Sequence, residues 1–260
     1  MKFNIIYSDF PWKYNSRANH KTRFRGGAEG HYPLMTMDEI RAVDLPSIMA
    51  PNCVHLMWTT YPYLIDQIKL FEHWGLTYRT LGFNWNKINP KCTEAFAEFR
   101  KKRFQVDEGN FVDFMIDLMN MMNFFGVGYY AKSNTEICLL GTRGKVNIES
   151  NGVSSNVFAV RKEHSRKPDE IRNRIVSLFG DYPRVELFAR YPADGWEQVG
   201  NGLDGLDINE SIKKMALRKD KVNEAKILTF GSEKPPRDTL RDVDPYGKPI
   251  HKGPTQLAFI

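Results

Sequence analysis

Cysteine is scarce. Cys53, Cys92 and Cys138 are far apart, odd in number and never paired as CxxC. That pattern excludes a disulfide framework and a thiolate zinc site, and it fits a reduced cytosol. Long apolar runs are missing as well: none approaches the ~20 residues that a membrane-spanning helix needs. Met1-Lys2 leads straight into an apolar segment, so no secretory leader is expected, and the expected location is the cytoplasm. Familiar catalytic signatures are absent too. There is no P-loop, no HExxH and no GxSxG elbow, and the six histidines are scattered without metal-ligand spacing, so no metal site is expected.

What remains is ample for a core. Of 260 residues, 42% are hydrophobic, enough for one α/β domain or one domain with appendages. The net charge of +6 is a weak argument for a polyanionic partner, since an ordinary basic surface gives the same balance. The bases are unevenly placed: residues 13–27 are poor in aliphatics, rich in Lys and Arg and closed by two glycines, which reads as a long loop.

Short apolar, β-branched runs predict strands over 3–7, 54–58, 78–85, 136–141, 157–160, 184–189 and 196–199. Between them, Thr36 with Glu39 reads as the capped start of a helix, and 63–74 has helical spacing closed by Gly75. Pro168-Asp169-Glu170 opens a further helix to about Phe179. Strand and helix alternating in this way predict an α/β fold, a mostly parallel sheet with helices on both faces. Residues 91–126 break the alternation: two short helices are expected there, carrying the basic run 100–103 and a Met- and Phe-rich stretch whose simplest role is packing. From 209 onward the chain is charged, with a helix to about 226 and then a mobile tail.

Ligands of open α/β sheets bind outside the carboxyl ends of the strands. The first strand ends in Asp9-Phe10-Pro11-Trp12. An acid, a carbonyl that belongs to a residue with no N–H, and a flat indole suit a planar base carrying an amino group. A nucleobase amine is a poor nucleophile because its lone pair is conjugated. A carboxylate accepting one N–H and a proline carbonyl accepting the other would pull the nitrogen toward tetrahedral geometry and free the pair to attack an electrophilic methyl. Trp12 would supply a stacking face worth ~1–3 kcal/mol. A turn that merely closes the strand would use the same residues. The basic stretch 161–167, with His164, is either solvated charge or an anion-binding loop.

Several segments in order resemble one family of S-adenosylmethionine-dependent methyltransferases. It includes the catalytic subunit of the eukaryotic mRNA N6-adenosine methyltransferase and many phage and bacterial DNA adenine methyltransferases. Asp9-Phe10-Pro11-Trp12 resembles its Asp-Pro-Pro-Trp motif, with Phe10 in place of the first proline. Tyr32 with Pro33, His55-Leu56-Met57-Trp58, Trp85-Asn86-Lys87 and Glu136-Ile137-Cys138-Leu139-Leu140-Gly141 resemble successive family segments. His164-Ser165-Arg166-Lys167-Pro168-Asp169-Glu170, then Glu186-Leu187-Phe188-Ala189-Arg190, then Trp196 and Gly200-Asn201, follow at the family spacing.

The resemblance implies a Rossmann-like class I methyltransferase fold with permuted motif order, catalytic motif first and cofactor motif last. It implies a methyltransferase domain over 1–208 with a helical insertion at about 91–126, and a charged helix and tail over 209–260. Asp9, Phe10, Pro11 and Trp12 would be the catalytic motif. Lys167 would meet the methionine carboxylate of S-adenosylmethionine, with Asp9, Leu187, Phe188 and Arg190 around it and Asn201 and Gly202 at the ribose. Asp207 would reach the cofactor adenine. Lys13, Lys21, Arg23, Arg25, Tyr32 and Arg166 would meet the nucleic acid. The expected reaction is methyl transfer to adenine N6 in double-stranded DNA with base flipping, by a monomer or homodimer in a bacterial cytosol. RNA as substrate, or a catalytically silent nucleic-acid-binding subunit, are the alternatives.

Overall fold

The computed structural model describes residues 1–13, 33–126, 130–163, 166–200, 203–218, 227 and 229–231. All of the first basic loop but Lys13, and nearly all of the expected C-terminal tail, lie outside these residues. Seven strands form one sheet: β1 (Phe3–Ser8), β2 (Met49–Thr59), β3 (Thr77–Ile88), β4 (Thr135–Arg143), β5 (Asn156–Val160), β6 (Arg184–Leu187) and β7 (Glu197–Val199). Their order across the sheet is β5-β3-β4-β2-β1-β6-β7. β1 is parallel to β2 and β6, β6 to β7, and β3 to β5, whereas β4 is antiparallel to both of its neighbours. Among the described strands β4 alone is reversed, so the sheet is mostly parallel, with the class and layering of a Rossmann-like methyltransferase fold.

Side chains on the inner strands alternate between two cores. On β2, Cys53 and Met57 face one and Val54, Leu56 and Trp58 the other. The first core is covered by α2 (Leu64–His73) through Leu70 and Phe71, and by α6 (Ile208–Leu217) through Ile208, Ile212 and Met215. The second is covered by α5 (Glu170–Phe179), whose Ile171, Ile175 and Phe179 recur at helical spacing. Burial on both faces is why these strands read as continuous apolar runs. α1 (Met37–Arg41) carries the expected capping box: the Glu39 N–H donates to Thr36 Oγ1 at 3.3 Å and the Thr36 N–H to Glu39 Oε2 at 2.7 Å.

The two expected short helices are α3 (Thr93–Lys102) and α4 (Phe111–Met122), packed on each other between β3 and β4. Asn86 pairs with Thr135, so β3 ends and β4 begins at one edge of the sheet, and the insertion leaves and returns there. That is what reverses β4.

Three boundaries differ from the sequence reading. β2 starts at Met49, ahead of Pro51, because the pairing with β1 slips between Phe3–Met49 and Ile5–Val54 and so accommodates the proline. β6 stops at Leu187 because Phe188 adopts a left-handed backbone, φ 62°, which ends strand pairing. α6 ends at Leu217, and the helix expected to continue to 226 enters residues outside the described set. No described helix is long and apolar enough to cross a membrane.

Candidate active site

β1 is followed in the chain by β2 on one side of it, while β6 lies on its other side. The crevice at the carboxyl ends of β1 and β6 is therefore the topological switch point of the sheet. Ser8 pairs with Leu187 and Leu187 with Val199, so the residues that follow, Asp9, Phe188 and Gly200, come together at that edge. Gly200 is there by necessity: a Cβ on it would stand 2.3 Å from the Ala189 carbonyl oxygen.

Lys167, two residues ahead of the N-cap of α5, reaches this edge from the other side. Its Nζ donates to Asp9 Oδ2 at 2.6 Å and lies 3.1 Å from Glu136 Oε2 on β4. Glu136 Oε1 is in turn 2.5 Å from Lys87 Nζ on β3. The chain of alternating charge Asp9–Lys167–Glu136–Lys87 thus ties β1, the α5 loop, β4 and β3 together. Trp58 underlies it, with the Lys167 ammonium 5.4 Å from the ring centre.

Burial pushes the Asp9 carboxyl above its ordinary value, and Lys167 opposes that rise without cancelling it. Burial also acts against the Lys167 charge, yet Asp9 and Glu136 together hold its ammonium well above the usual range. Glu136 is desolvated too, but Lys167 and Lys87 outweigh burial and bring its carboxyl down to about 2.

A second polar group forms the opposite wall. Glu186 accepts from Arg172 twice, at 2.8 Å from Nε and 2.7 Å from a terminal nitrogen, and from Gln198 Nε2 at 2.6 Å. Tyr7 lies under it, its hydroxyl accepting from Trp58 Nε1 at 2.6 Å. Asp9, Lys167, Phe188 and Arg190 line a pocket together with Tyr7, Arg172 and Glu186 of this group, Arg166 and Tyr191. Arg166 lies over the Tyr191 ring at 4.2 Å and is held by Asp169 at 3.1 Å, while its buried Nε has no protein partner.

The other expected site residues divide. Phe10 does not face the crevice: its side chain is buried, stacked on Trp74 at 5.5 Å and against Phe188 at 4.8 Å. Trp12 is buried beside Phe10 and Tyr63, and Leu187 is wholly buried in the core, so neither side chain faces the crevice. The Pro11 carbonyl accepts from the Met35 N–H at 2.7 Å, which uses one of its two lone pairs. Lys13 is exposed and bound through its backbone to Met35 and Tyr63. Asp207 caps α6, accepting from the Asn209 N–H at 2.9 Å, and does not line the pocket. Lys21, Arg23, Arg25, Tyr32, Asn201 and Gly202 lie outside the described residues.

Glu136, Lys87, Glu186, Arg172 and Gln198 are site residues to which the sequence reading gave no role. Lys87, Glu136 and Glu186 lie in segments that resemble the family's, and each of the five is polar in or beside an apolar strand or at a helix start, where a buried run would otherwise continue.

A family model, MT-A70, matches residues 3–107 and 118–202. The Type II methyltransferase M.MunI of a Mycoplasma species is 28% identical over 216 residues, 76% of this chain and 77% of that protein. An N(6)-adenosine-methyltransferase MT-A70-like protein of Arabidopsis thaliana is 24% identical over 214 residues, 81% of this chain and 25% of its own length. The N(6)-adenosine-methyltransferase catalytic subunit METTL3 of Homo sapiens is 22% identical over 210 residues, 80% of this chain and 29% of its own length. The chain thus spans most of the Mycoplasma protein and under a third of these two eukaryotic ones.

Proposed function

The chain belongs to the MT-A70 family, and from that premise we propose that it transfers a methyl group from S-adenosylmethionine to the exocyclic N6 amino group of adenine in DNA. The observation that carries the reading is the Asp9–Lys167 ion pair at the switch point, beside Phe188. DNA is preferred to RNA because the Type II methyltransferase is matched over most of its own length, the adenosine methyltransferases over a segment only.

The pocket residues fit the cofactor's chemistry. Lys167 and Arg190 are cations for a carboxylate, and the unpartnered buried Arg166 Nε is a further donor. Asp9 and Glu186 are anions for an ammonium or sulfonium, and Phe188 and Tyr191 supply flat apolar faces. When bound, S-adenosylmethionine supplies an electrophilic methyl group. The left-handed Phe188 backbone turns the chain across the strand ends, a strain of the kind that the surroundings must hold in place.

The chain's own task is to prepare the amine. Lys167 fixes Asp9 Oδ2 and keeps the carboxylate ionised, which leaves Oδ1 to accept one N–H of the adenine amino group. The Pro11 carbonyl has its second lone pair for the other. With both N–H bonds so engaged, the nitrogen lone pair is released from conjugation. The Asp9 carboxyl, raised by burial, is a better proton acceptor than an ordinary carboxylate and takes up the proton that the amine loses. Adenine in a duplex cannot reach an edge of this kind while stacked, so the target base flips out of the helix.

The test is to incubate the purified chain with methyl-labelled S-adenosylmethionine and either duplex DNA or RNA, then digest to nucleosides and identify them by mass. Label in N6-methyldeoxyadenosine is expected. Label in RNA alone would overturn the choice of DNA, and no label in either would overturn the activity.

A further inference from the structure

The α3–α4 hairpin turns apolar side chains outward. Phe96, Phe99, Val112, Met115, Ile116 and Met119 are each exposed by 37% or more. On α4, residues 112, 115, 116 and 119 share one face, at spacings of three and four. Phe99 stacks on Phe114 across the two helices, and Ala95 and Leu118 are buried, so the rest of the stripe is what their mutual packing leaves over. A cluster of exposed apolar side chains on one hairpin marks an interaction site.

The charges around the stripe decide its partner. Arg100, Lys101, Lys102 and Arg103 are consecutive and exposed at the end of α3. Residues 104–131 contain no lysine or arginine, and they carry Asp107, Glu108, Asp113 and Asp117. A nucleic acid laid on α4 would meet only acid. One hairpin thus offers an apolar stripe flanked by a basic block on one helix and an acidic block on the other. That surface is complementary to itself under a two-fold rotation, which sets the basic block of one copy against the acidic block of the next.

We propose that the α3–α4 hairpin is the surface through which two copies of this chain associate. The family match is interrupted at 108–117, within the acidic half of the hairpin. The base of the hairpin is bonded to the site-bearing strand: the Phe124 N–H donates to the Lys87 carbonyl at 2.9 Å and the Asn89 N–H to the Met122 carbonyl at 2.8 Å. Association would therefore brace the edge that carries Lys87. The inference does not rest on the proposed activity.

Sedimentation equilibrium of the full chain at micromolar concentration tests it. The wild type is expected at twice the chain mass. Arg100→Glu with Arg103→Glu, and separately Asp113→Lys with Asp117→Lys, should each weaken association by about a hundredfold, the effect of opposing like charges. An equimolar mixture of the two variants should form dimers again. All four positions are exposed, and unchanged far-ultraviolet circular dichroism spectra would confirm that loss of association is not loss of folding. A monomeric wild type, variants that stay dimeric, or a mixture that stays monomeric would each overturn the proposal. So would a monomeric chain whose DNA binding falls in the hairpin variants, which would make nucleic acid the occupant.

Discussion

Lys167 and Asp9 are 158 positions apart in the chain and 2.6 Å apart at the carboxyl edge of the sheet. The contact joins the loop ahead of α5 to the end of β1, and through Glu136 it reaches β4 and Lys87 on β3. The acid expected to engage the substrate is thus set by the cation expected to engage the cofactor. The two halves of the site are mechanically coupled before either ligand arrives.

Replacing Asp9 with Asn keeps its shape and removes its charge. Methyl transfer should fall by about 10²–10³-fold, the loss seen when one aligned electrostatic partner is removed from a reacting group. Affinity for S-adenosylmethionine, read by titration calorimetry, should stay within about tenfold, because one charge at the rim of a site contributes little more than 1.4 kcal/mol. Lys167→Met should show the complementary pattern, with cofactor affinity the larger loss. Equal losses in both quantities for both variants would remove the division of roles.

Glu136→Gln leaves Lys87 and Lys167 without their shared carboxylate. The carboxylate is 26% exposed, so the cost in a urea melt at neutral pH should be about 1–2 kcal/mol, below that of a fully buried pair. Its folded-state carboxyl is lowered, so the stability it contributes is present above the ordinary value of 4.5 and is lost as pH falls toward about 2. That part of the acid dependence should disappear in the variant.

His55 lies in the core, its Nε2 2.8 Å from Ser8 Oγ, and burial brings its pKa down to about 3. The folded imidazole stays neutral while the unfolded one gains a proton below its ordinary 6.5. Stability should therefore fall as pH drops from about 6 toward 3, by about 1.4 kcal/mol per pH unit from this group. Denaturant melts of His55→Gln across that range should show a slope shallower by that amount.

Phe10 stands where the family pattern has proline, and the fold uses it as a core residue against Trp74, Trp12 and Phe188. Phe10→Ala should cost about 3–5 kcal/mol of stability, as other buried phenylalanines do. Phe10→Pro would restore the family motif and should be equally destabilising, because the ring that packs on Trp74 would be gone. A stable Phe10→Pro chain would show that the packing is dispensable.

The fold was largely legible because every strand is a short apolar run bounded by turn residues, and strand-helix alternation leaves few sheets to choose from. The errors are at ends. Pro51 reads as a strand boundary until a slip in pairing with β1 absorbs it, and the Phe188 turn has no signal in a run that stays apolar to Ala189. The site was half legible. Asp9 and Lys167 stand out through resemblance to a family, but no spacing in the chain foretells that they touch. Glu136 and Lys87 lie in segments that resemble the family's, but no role for either is legible until the sheet order sets β4 beside β3. Conversely, Phe10, Trp12 and Leu187 belong to matching motifs, yet the structure turns them into the core, since a motif fixes residue type and not which face a side chain takes.

In the proposed reaction Asp9, fixed by Lys167, prepares the adenine amine for methyl transfer. The most direct measurement is nucleoside mass analysis of DNA from a host without endogenous adenine methylation, expressing either the wild type or Asp9→Asn at equal protein levels. N6-methyldeoxyadenosine with the wild type, and about a hundredfold less or lower still with the variant early in expression, is the predicted result. The modified nucleoside at equal abundance with both, or its absence with both despite folded protein, would contradict it.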